Sequence, residues 1–174
     1  METDYGRLVW AGAYAALLLV AAGNDAWRRR IPNWSVLAMV GLFLIGLPFG
    51  WPVASWASGL GAMVLALAVG FPMFATRLVG AGDVKLLAAA ALFTGLDHMP
   101  LLLVSTTLAG GALALLALTT RPYATALAAA GWPQLRPGVP YGVAIAAGAI
   151  HAGWTAGLFT VTQHLVHIDL NHLN

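Results

Sequence analysis

The sequence contains no cysteine and very little charge. The absence of cysteine from its 174 residues excludes disulfides, a thiolate nucleophile and cysteine-based zinc sites. Only 8% of the residues are charged, whereas a typical soluble domain has about 25%. In their place, 60% of the residues are hydrophobic, and the mean hydropathy is +0.83. This composition predicts an integral membrane protein.

Motifs that would identify several other functions are also absent. The chain has no His-Glu-x-x-His sequence, which argues against a membrane metalloprotease. No basic stretch carries interleaved aromatic residues, so we expect no nucleic-acid partner. Ser105 has no intramembrane histidine with an evident partner role, which disfavours a serine protease. No internal repeat is evident in the sequence. This disfavours a transporter, because transporters often show repeated halves.

Six apolar segments follow one another along the chain. A transmembrane helix needs about 20 residues, so the length allows about six of them in a lipid bilayer. We therefore predict an all-α, polytopic membrane protein that forms one domain over residues 1–174, with a bundle of about six transmembrane helices. The segments cover residues 5–23, 34–49, 53–75, 78–96, 100–118 and 139–164.

The basic residues predict the orientation of this bundle. With the N-terminus outside, only Arg7 lies on the outer side and seven of the eight basic residues are cytoplasmic. That bias follows the positive-inside rule, which the inverted orientation violates. Because acidic residues precede the first segment and arginines follow it, we interpret it as a retained helix rather than a signal peptide. The seven are Arg28, Arg29, Arg30, Arg77, Lys85, Arg121 and Arg136.

Two aspartates, Asp25 and Asp83, fall on the cytoplasmic side in this orientation. A carboxylate at the centre of a membrane helix costs about 2.5–3.5 kcal/mol, so both are functional candidates. A helix from Asp83 to the end of its apolar segment is only about 20 Å long, whereas the hydrocarbon core is about 30 Å thick. We therefore expect the fourth helix either to begin before Asp83, near Leu78, with Gly80 and Gly82 loosening the backbone above Asp83, or to span a thinned membrane.

Two carboxylates that reach one water molecule provide acid–base chemistry. Neighbouring carboxylates share a proton, so the ionised one takes a proton from water while the protonated one polarises a carbonyl. We predict this role for Asp25 and Asp83, with no metal ion and no organic cofactor. Their common side and similar depth are what such a contact requires.

The residues around the two aspartates resemble the motifs of a known family. Asp25, followed by Arg-Ile-Pro-Asn at residues 30–33, resembles the first catalytic motif of prepilin peptidases (type IV leader peptidases), which are membrane aspartic proteases. Gly-Ala-Gly-Asp-Val-Lys at residues 80–85 resembles the second, the GxGD motif shared with presenilin-like proteases. Val-Pro-Tyr-Gly at residues 139–142 resembles a third family feature.

This resemblance implies an aspartic endopeptidase of the bacterial inner membrane, with Asp25 and Asp83 as its catalytic residues. The implied substrate is a prepilin or pseudopilin helix, cut after a glycine of its basic leader at the cytoplasmic face. Larger members carry a cytoplasmic insert with paired cysteines and also N-methylate the pilin. This chain has neither the insert nor a cysteine, and it is similar to the short peptidases of tight-adherence (Flp-type) pilus systems.

Residues near the aspartates are expected to support them or to serve the fold. Asn33 is expected to cap the second helix and Pro32 to shape the turn before it, with support of the first aspartate as the alternative. Lys85 either sets the topology at the membrane surface or meets an acidic group on the prepilin. Three further residues either start the last helix or line the substrate groove: Pro140, Tyr141 and Gly142.

Plainer interpretations and other functions remain open at the level of sequence. Asp25 can be a helix-end residue beside arginines, and Asp83 can be a cap stabilised by the helix dipole. The alternative functions are a small transporter or proton relay that uses the same carboxylates, and an inactive pilus assembly factor. Gly153 and Gly157 form a GxxxG match that we expect to serve packing within the bundle. A polar C-terminal end is favoured over a metal site for His164, His167, Asp169 and His172.

Overall fold

The computed structural model describes residues 2–52, 54–129 and 139–160, and these residues form helices and short connections without any strand. The predicted all-α class is confirmed for this part of the chain. The helices are α1 (Glu2–Arg28), α2 (Asn33–Gly46), a short 3-10 helix (Leu47–Phe49), α3 (Trp56–Ala75), α4 (Ala81–Ala129) and α5 (Tyr141–Thr155).

Helix α4 consists of two segments, residues 81–94 and 96–129, which meet at Gly95. The first segment brings Phe93 against Tyr14 of α1, far from Asp25. The second brings Gly110 against Tyr141, next to the residue that hydrogen-bonds Asp25. The chain therefore reverses its direction at Gly95, and the two segments of α4 run antiparallel.

Gly95 makes this reversal possible because it has no side chain. Its φ of 68° and ψ of −178° lie in a region that only glycine occupies readily. A Cβ atom at this position would lie 2.7 Å from that of Ala54. The Ser58 hydroxyl accepts a hydrogen bond of 2.9 Å from the Leu96 N–H, which attaches the turn to α3.

Three helices in the described part are long and apolar enough to cross a membrane, fewer than the expected six. They cover Tyr5–Arg28, Trp56–Ala75 and Ala81–Thr120. The predicted fourth and fifth segments both fall in α4, which counts once. Helices α2 and α5 have 14 and 15 residues, about 20 Å at 1.5 Å per residue, and so fall short of the hydrocarbon thickness.

The core runs along the bundle, and an aromatic cluster around Phe93 forms its end opposite the aspartates. Its ring stacks on that of Tyr14 with centroids 4.0 Å apart, and it meets Trp10 at 5.3 Å and Phe43 at 5.5 Å. Each such pair contributes about 0.5–1.5 kcal/mol beyond the burial of its area. The Trp10 indole also donates a hydrogen bond of 2.6 Å to the Leu42 carbonyl. This cluster joins α1, α2 and α4.

Helix α4 begins at Ala81, before Asp83 but three residues after the expected start at Leu78. Helix α3 ends in a Schellman motif, in which the Leu78 N–H donates to Met73 O and the Arg77 N–H donates to Phe74 O, both at 2.9 Å. Arg77 takes the left-handed position of this motif with a φ of 62°. Leu78 therefore belongs to the motif that ends α3, and Asp83 lies in the first turn of α4.

The last helix is shorter than predicted, because α5 ends at Thr155 instead of continuing to residue 164. Gly157 has a φ of 79°, and the Leu158 N–H donates to Gly153 O at 2.8 Å, which forms another Schellman motif. Gly157 is thus a helix-terminating residue. The GxxxG match therefore does not lie on one helix face, since Gly153 is buried in α5 and Gly157 lies beyond its end.

Candidate active site

Asp25 lies inside α1, one turn before the helix ends, and only 8% of its surface is exposed. Its Oδ2 atom accepts a buried hydrogen bond of 2.8 Å from the backbone N–H of Gly142 in α5. Arg29, with a φ of 54°, terminates α1 and donates its N–H to Asp25 O at 2.9 Å. The helix end and the partner helix together define where this carboxylate lies.

Asp83 is the third residue of α4, and its carboxylate accepts a hydrogen bond from the backbone of Gly80, directly before the helix. A carboxylate three residues into a helix that reaches back to the capping N–H forms half of a capping box. A Cβ atom on Gly80 would lie 2.9 Å from Asp83 Oδ2. Gly80 therefore leaves room for the carboxylate.

The structure brings Asp25 and Asp83 to the same end of the bundle, because the connection that follows Asp25 packs against the first turns of α4. One aspartate comes from the end of α1 and the other from the start of α4, 58 positions later in the sequence. Both are held by backbone N–H groups at helix N-termini. Two carboxylates at one end of the bundle are the groups that acid–base activation of a water molecule requires.

The first two motifs pack directly against each other beside the aspartates. A Cβ atom on Gly82 would lie 3.1 Å from the Cβ of Ile31, so the glycine lets the α1–α2 connection approach α4 closely. The Lys85 ammonium donates a hydrogen bond of 3.3 Å to Asn33 Oδ1. These two contacts explain why both motifs lie at one site.

Asn33 does not cap α2, in contrast to its expected role. Pro32 occupies the N-cap position with extended backbone, and Asn33 is the first residue of the helix, with its side-chain oxygen turned to Lys85. The fully buried Ser35 donates its hydroxyl to Pro32 O at 2.8 Å and steadies the turn. Sequence reasoning missed Ser35, although a polar residue early in an apolar segment was a usable signal.

The third motif supplies the start of α5. Pro140 is the N-cap residue and offers no side-chain hydrogen bond. Tyr141 is half exposed, and its ring lies against Gly110 of α4. Gly142 follows and donates its N–H to Asp25, so this motif both starts the helix and contacts the site.

Ser105 has a histidine partner, contrary to our expectation. Its hydroxyl lies 2.8 Å from Nδ1 of His151, and the pair joins α4 to α5. Because both residues fall within apolar segments, a search for polar pairs inside the membrane could have found them. The pair lies about nine residues along α5 from Gly142, on the order of 13 Å at 1.5 Å per residue.

The positive charge is distributed unevenly between the two ends of the bundle. Arg7 lies at the end opposite the aspartates and donates a hydrogen bond of 3.0 Å to Gly157 O. Arg121 belongs to α4, and Arg136 lies outside the described residues. The basic residues at the aspartate end are Arg28, Arg29, Arg30, Arg77 and Lys85.

Within the residues described, no three His, Cys, Asp or Glu side chains come together as a metal site would need. The predicted polar C-terminal end, with its three histidines, lies outside the described residues.

A comparison with known protein families matches residues 12–115 to the type IV leader peptidase family. The matched range is more than half of the chain, includes both aspartates and ends before the third motif. No curated protein and no solved structure matches the sequence. The chain belongs to the type IV leader peptidase family.

Proposed function

We propose that this chain is an aspartic endopeptidase that removes the leader peptide of type IV prepilins, with Asp25 and Asp83 as its catalytic residues. Membership of the family supports a leader peptidase activity in general. The observation that supports the aspartic mechanism is the packing of the two aspartate-bearing motifs against each other at one end of the bundle. No other acidic side chain needs to be invoked.

The proposed chemistry is the activation of one water molecule by the pair. Each carboxylate has an oxygen held by a backbone N–H, from Gly142 or from Gly80. In this proposal the other oxygens share a proton and hold the water. The ionised carboxylate takes a proton from the water as it attacks, and the protonated one polarises the scissile carbonyl.

We infer that the substrate is an Flp-type prepilin, cut at the cytoplasmic face of the bacterial inner membrane. The similarity to short, cysteine-free peptidases supports this substrate class. The accumulation of basic residues at the aspartate end supports the cytoplasmic face, because cytoplasmic loops carry most Lys and Arg. The N-terminus then lies outside.

The test is co-expression of the chain with a tagged Flp-type prepilin in bacterial membranes. The wild type is expected to yield the shortened pilin, whose new N-terminus is read by mass spectrometry. Asp25→Asn and Asp83→Asn should leave only the precursor. Asp97→Asn is the matched control, because Asp97 is exposed and lies beside the Gly95 turn at the opposite end.

Each result has a defined meaning. If either Asp25→Asn or Asp83→Asn still processes the prepilin, the proposed catalytic pair is wrong. A wild type that cleaves no prepilin in membranes favours the transporter or the assembly-factor interpretation.

A further inference from the structure

The first turn of α5 meets Asp25 through an unusually close contact. Gly142 is the second residue of the helix, and its N–H is one of the donors that a helix start leaves without an intrahelical partner. Pro140 supplies no side-chain cap for this turn. The carboxylate of Asp25, 117 positions away in sequence, takes the place of that cap at 2.8 Å.

The glycine at this position is explained by space and not by backbone conformation. Gly142 is helical and has no left-handed φ, so a residue with a side chain could adopt its backbone. However, a Cβ atom would lie 2.9 Å from Asp25 Cβ, 3.0 Å from Oδ2 and 3.1 Å from Cγ. Any side chain would displace the carboxylate or α5.

We propose that Gly142 is a positioning residue for Asp25: its N–H fixes Oδ2, and its missing side chain sets the distance between α5 and the carboxylate. This inference rests on the proposed function and deepens it. With Oδ2 held by α5, Oδ1 is the oxygen left for water and for Asp83. The first turn of α5 is therefore part of the active site although it touches neither water nor the scissile bond.

The test compares Gly142→Ala with Gly23→Ala, in prepilin cleavage and in thermal unfolding in detergent. Gly23 lies two residues from Asp25, is exposed and has nothing within 4 Å of a built Cβ, so its variant should keep the wild-type kcat. Gly142→Ala should lower kcat by about 10²-fold, the effect of a misplacement of about 1 Å, with little change in KM. Equal kcat values for the two variants would overturn the proposal.

A second measurement separates positioning from a general loss of fold. Gly142→Ala is also made in an Asp25→Gly background, which removes both the Cβ atom and the carboxylate that a side chain at residue 142 would crowd. If the alanine crowds Asp25, its effect on the melting temperature should be smaller in this background than in the wild type. An equal loss in both backgrounds would show that the damage lies elsewhere and would overturn the proposal.

This second measurement does not need a cleavable substrate. If the wild type cleaves no prepilin, the proposed function fails, while the thermal comparison still decides whether Gly142 and Asp25 are coupled.

Discussion

At the scale of single residues, the two aspartates are held in the same way by different helices. Asp25 accepts the N–H of the second residue of α5, and Asp83 accepts the N–H that precedes its own helix α4. Helix N-termini carry partial positive charge, which stabilises a nearby carboxylate. Two like charges in a mostly apolar bundle are thus each given a polar partner, and this lowers the cost of keeping them together.

This arrangement predicts that Asp25→Asn and Asp25→Ala differ in stability but not in activity. The asparagine side-chain oxygen can still accept the Gly142 N–H, so we expect near wild-type stability. Alanine leaves that buried N–H without an acceptor, which should cost about 1–3 kcal/mol in the free energy of unfolding. Both variants should lose about 10²–10⁴-fold in cleavage rate. Thermal unfolding in detergent and prepilin cleavage measure the two effects, and equal stability of the variants would contradict the assignment.

The hydrogen bond between Ser105 and His151 predicts a structural role in helix packing. Ser105→Ala and His151→Ala should each lower the free energy of unfolding by about 0.6–1.7 kcal/mol, as interhelical hydrogen bonds in membranes do. Prepilin cleavage should stay near the wild-type rate in both. The double variant should cost less than the sum of the two single variants, because they remove the same bond.

A cleavage assay tests the alternative that Ser105 and His151 form a serine protease site. Loss of all cleavage in Ser105→Ala, with Asp25→Asn still active, would indicate a serine nucleophile instead of the aspartate pair.

At the scale of helices, the positions of the aspartates follow from how neighbouring elements end. The Schellman motif at Arg77 stops α3 and leaves a short connection to Gly80, so Asp83 falls in the first turn of α4. The single residue Gly95 then reverses α4. From the sequence, a connection is predicted at residues 97–100 instead, because polar residues usually mark a connection. A turn made by a single glycine has no polar residues to mark it.

The reversal at Gly95 predicts a large cost for Gly95→Ala. A side chain is strained at a φ of 68° and ψ of −178°, and its Cβ would also crowd Ala54. We expect the free energy of unfolding to fall by about 1–3 kcal/mol from backbone strain alone.

Gly111→Ala in the same helix is the matched control, because nothing lies within 4 Å of a Cβ built there. It should be neutral or stabilising by up to about 1 kcal/mol, the propensity difference between glycine and alanine. Thermal unfolding of both variants in one detergent gives the comparison, and similar melting temperatures would contradict the proposed reversal.

At the scale of the whole molecule, the two ends of the bundle differ in charge but share aromatic residues. The basic residues cluster around the aspartates, whereas Arg7 lies at the other end. Exposed tryptophans occur at both ends, Trp27 and Trp34 near the aspartates and Trp56 and Trp154 opposite. Tryptophan is enriched at both membrane interfaces, and Lys and Arg are enriched on the cytoplasmic side. This asymmetry supports the proposed orientation, with the aspartates toward the cytoplasm.

This orientation predicts the labelling of single-cysteine variants, which the cysteine-free sequence makes simple to prepare. Leu78 is exposed at the aspartate end, and Phe49 is exposed at the opposite end. In intact cells with a permeable outer membrane, an impermeant maleimide should label Phe49→Cys and not Leu78→Cys. Both should react after the inner membrane is opened. Labelling of Leu78→Cys alone in intact cells would show that the topology is the opposite of the one proposed.

The sequence by itself determined the class of protein, the approximate place of each helix and the two motif aspartates. These properties depend on composition, on runs of apolar residues and on short motifs, all of which are local. The first helix illustrates the limit, since its apolar run ends at Gly23 while α1 continues through Asp25 to Arg28.

Only the tertiary structure decided which groups meet. The Gly142 N–H reaches Asp25 across 117 positions, and Ser105 reaches His151 across 46. Such contacts depend on how the helices pack and on where the chain reverses. Gly142 allows a close approach and Gly95 allows a sharp turn, because neither residue has a side chain that would block it. The sequence named the two aspartates and predicted that they share one end of the bundle, but packing decided which backbone groups hold them.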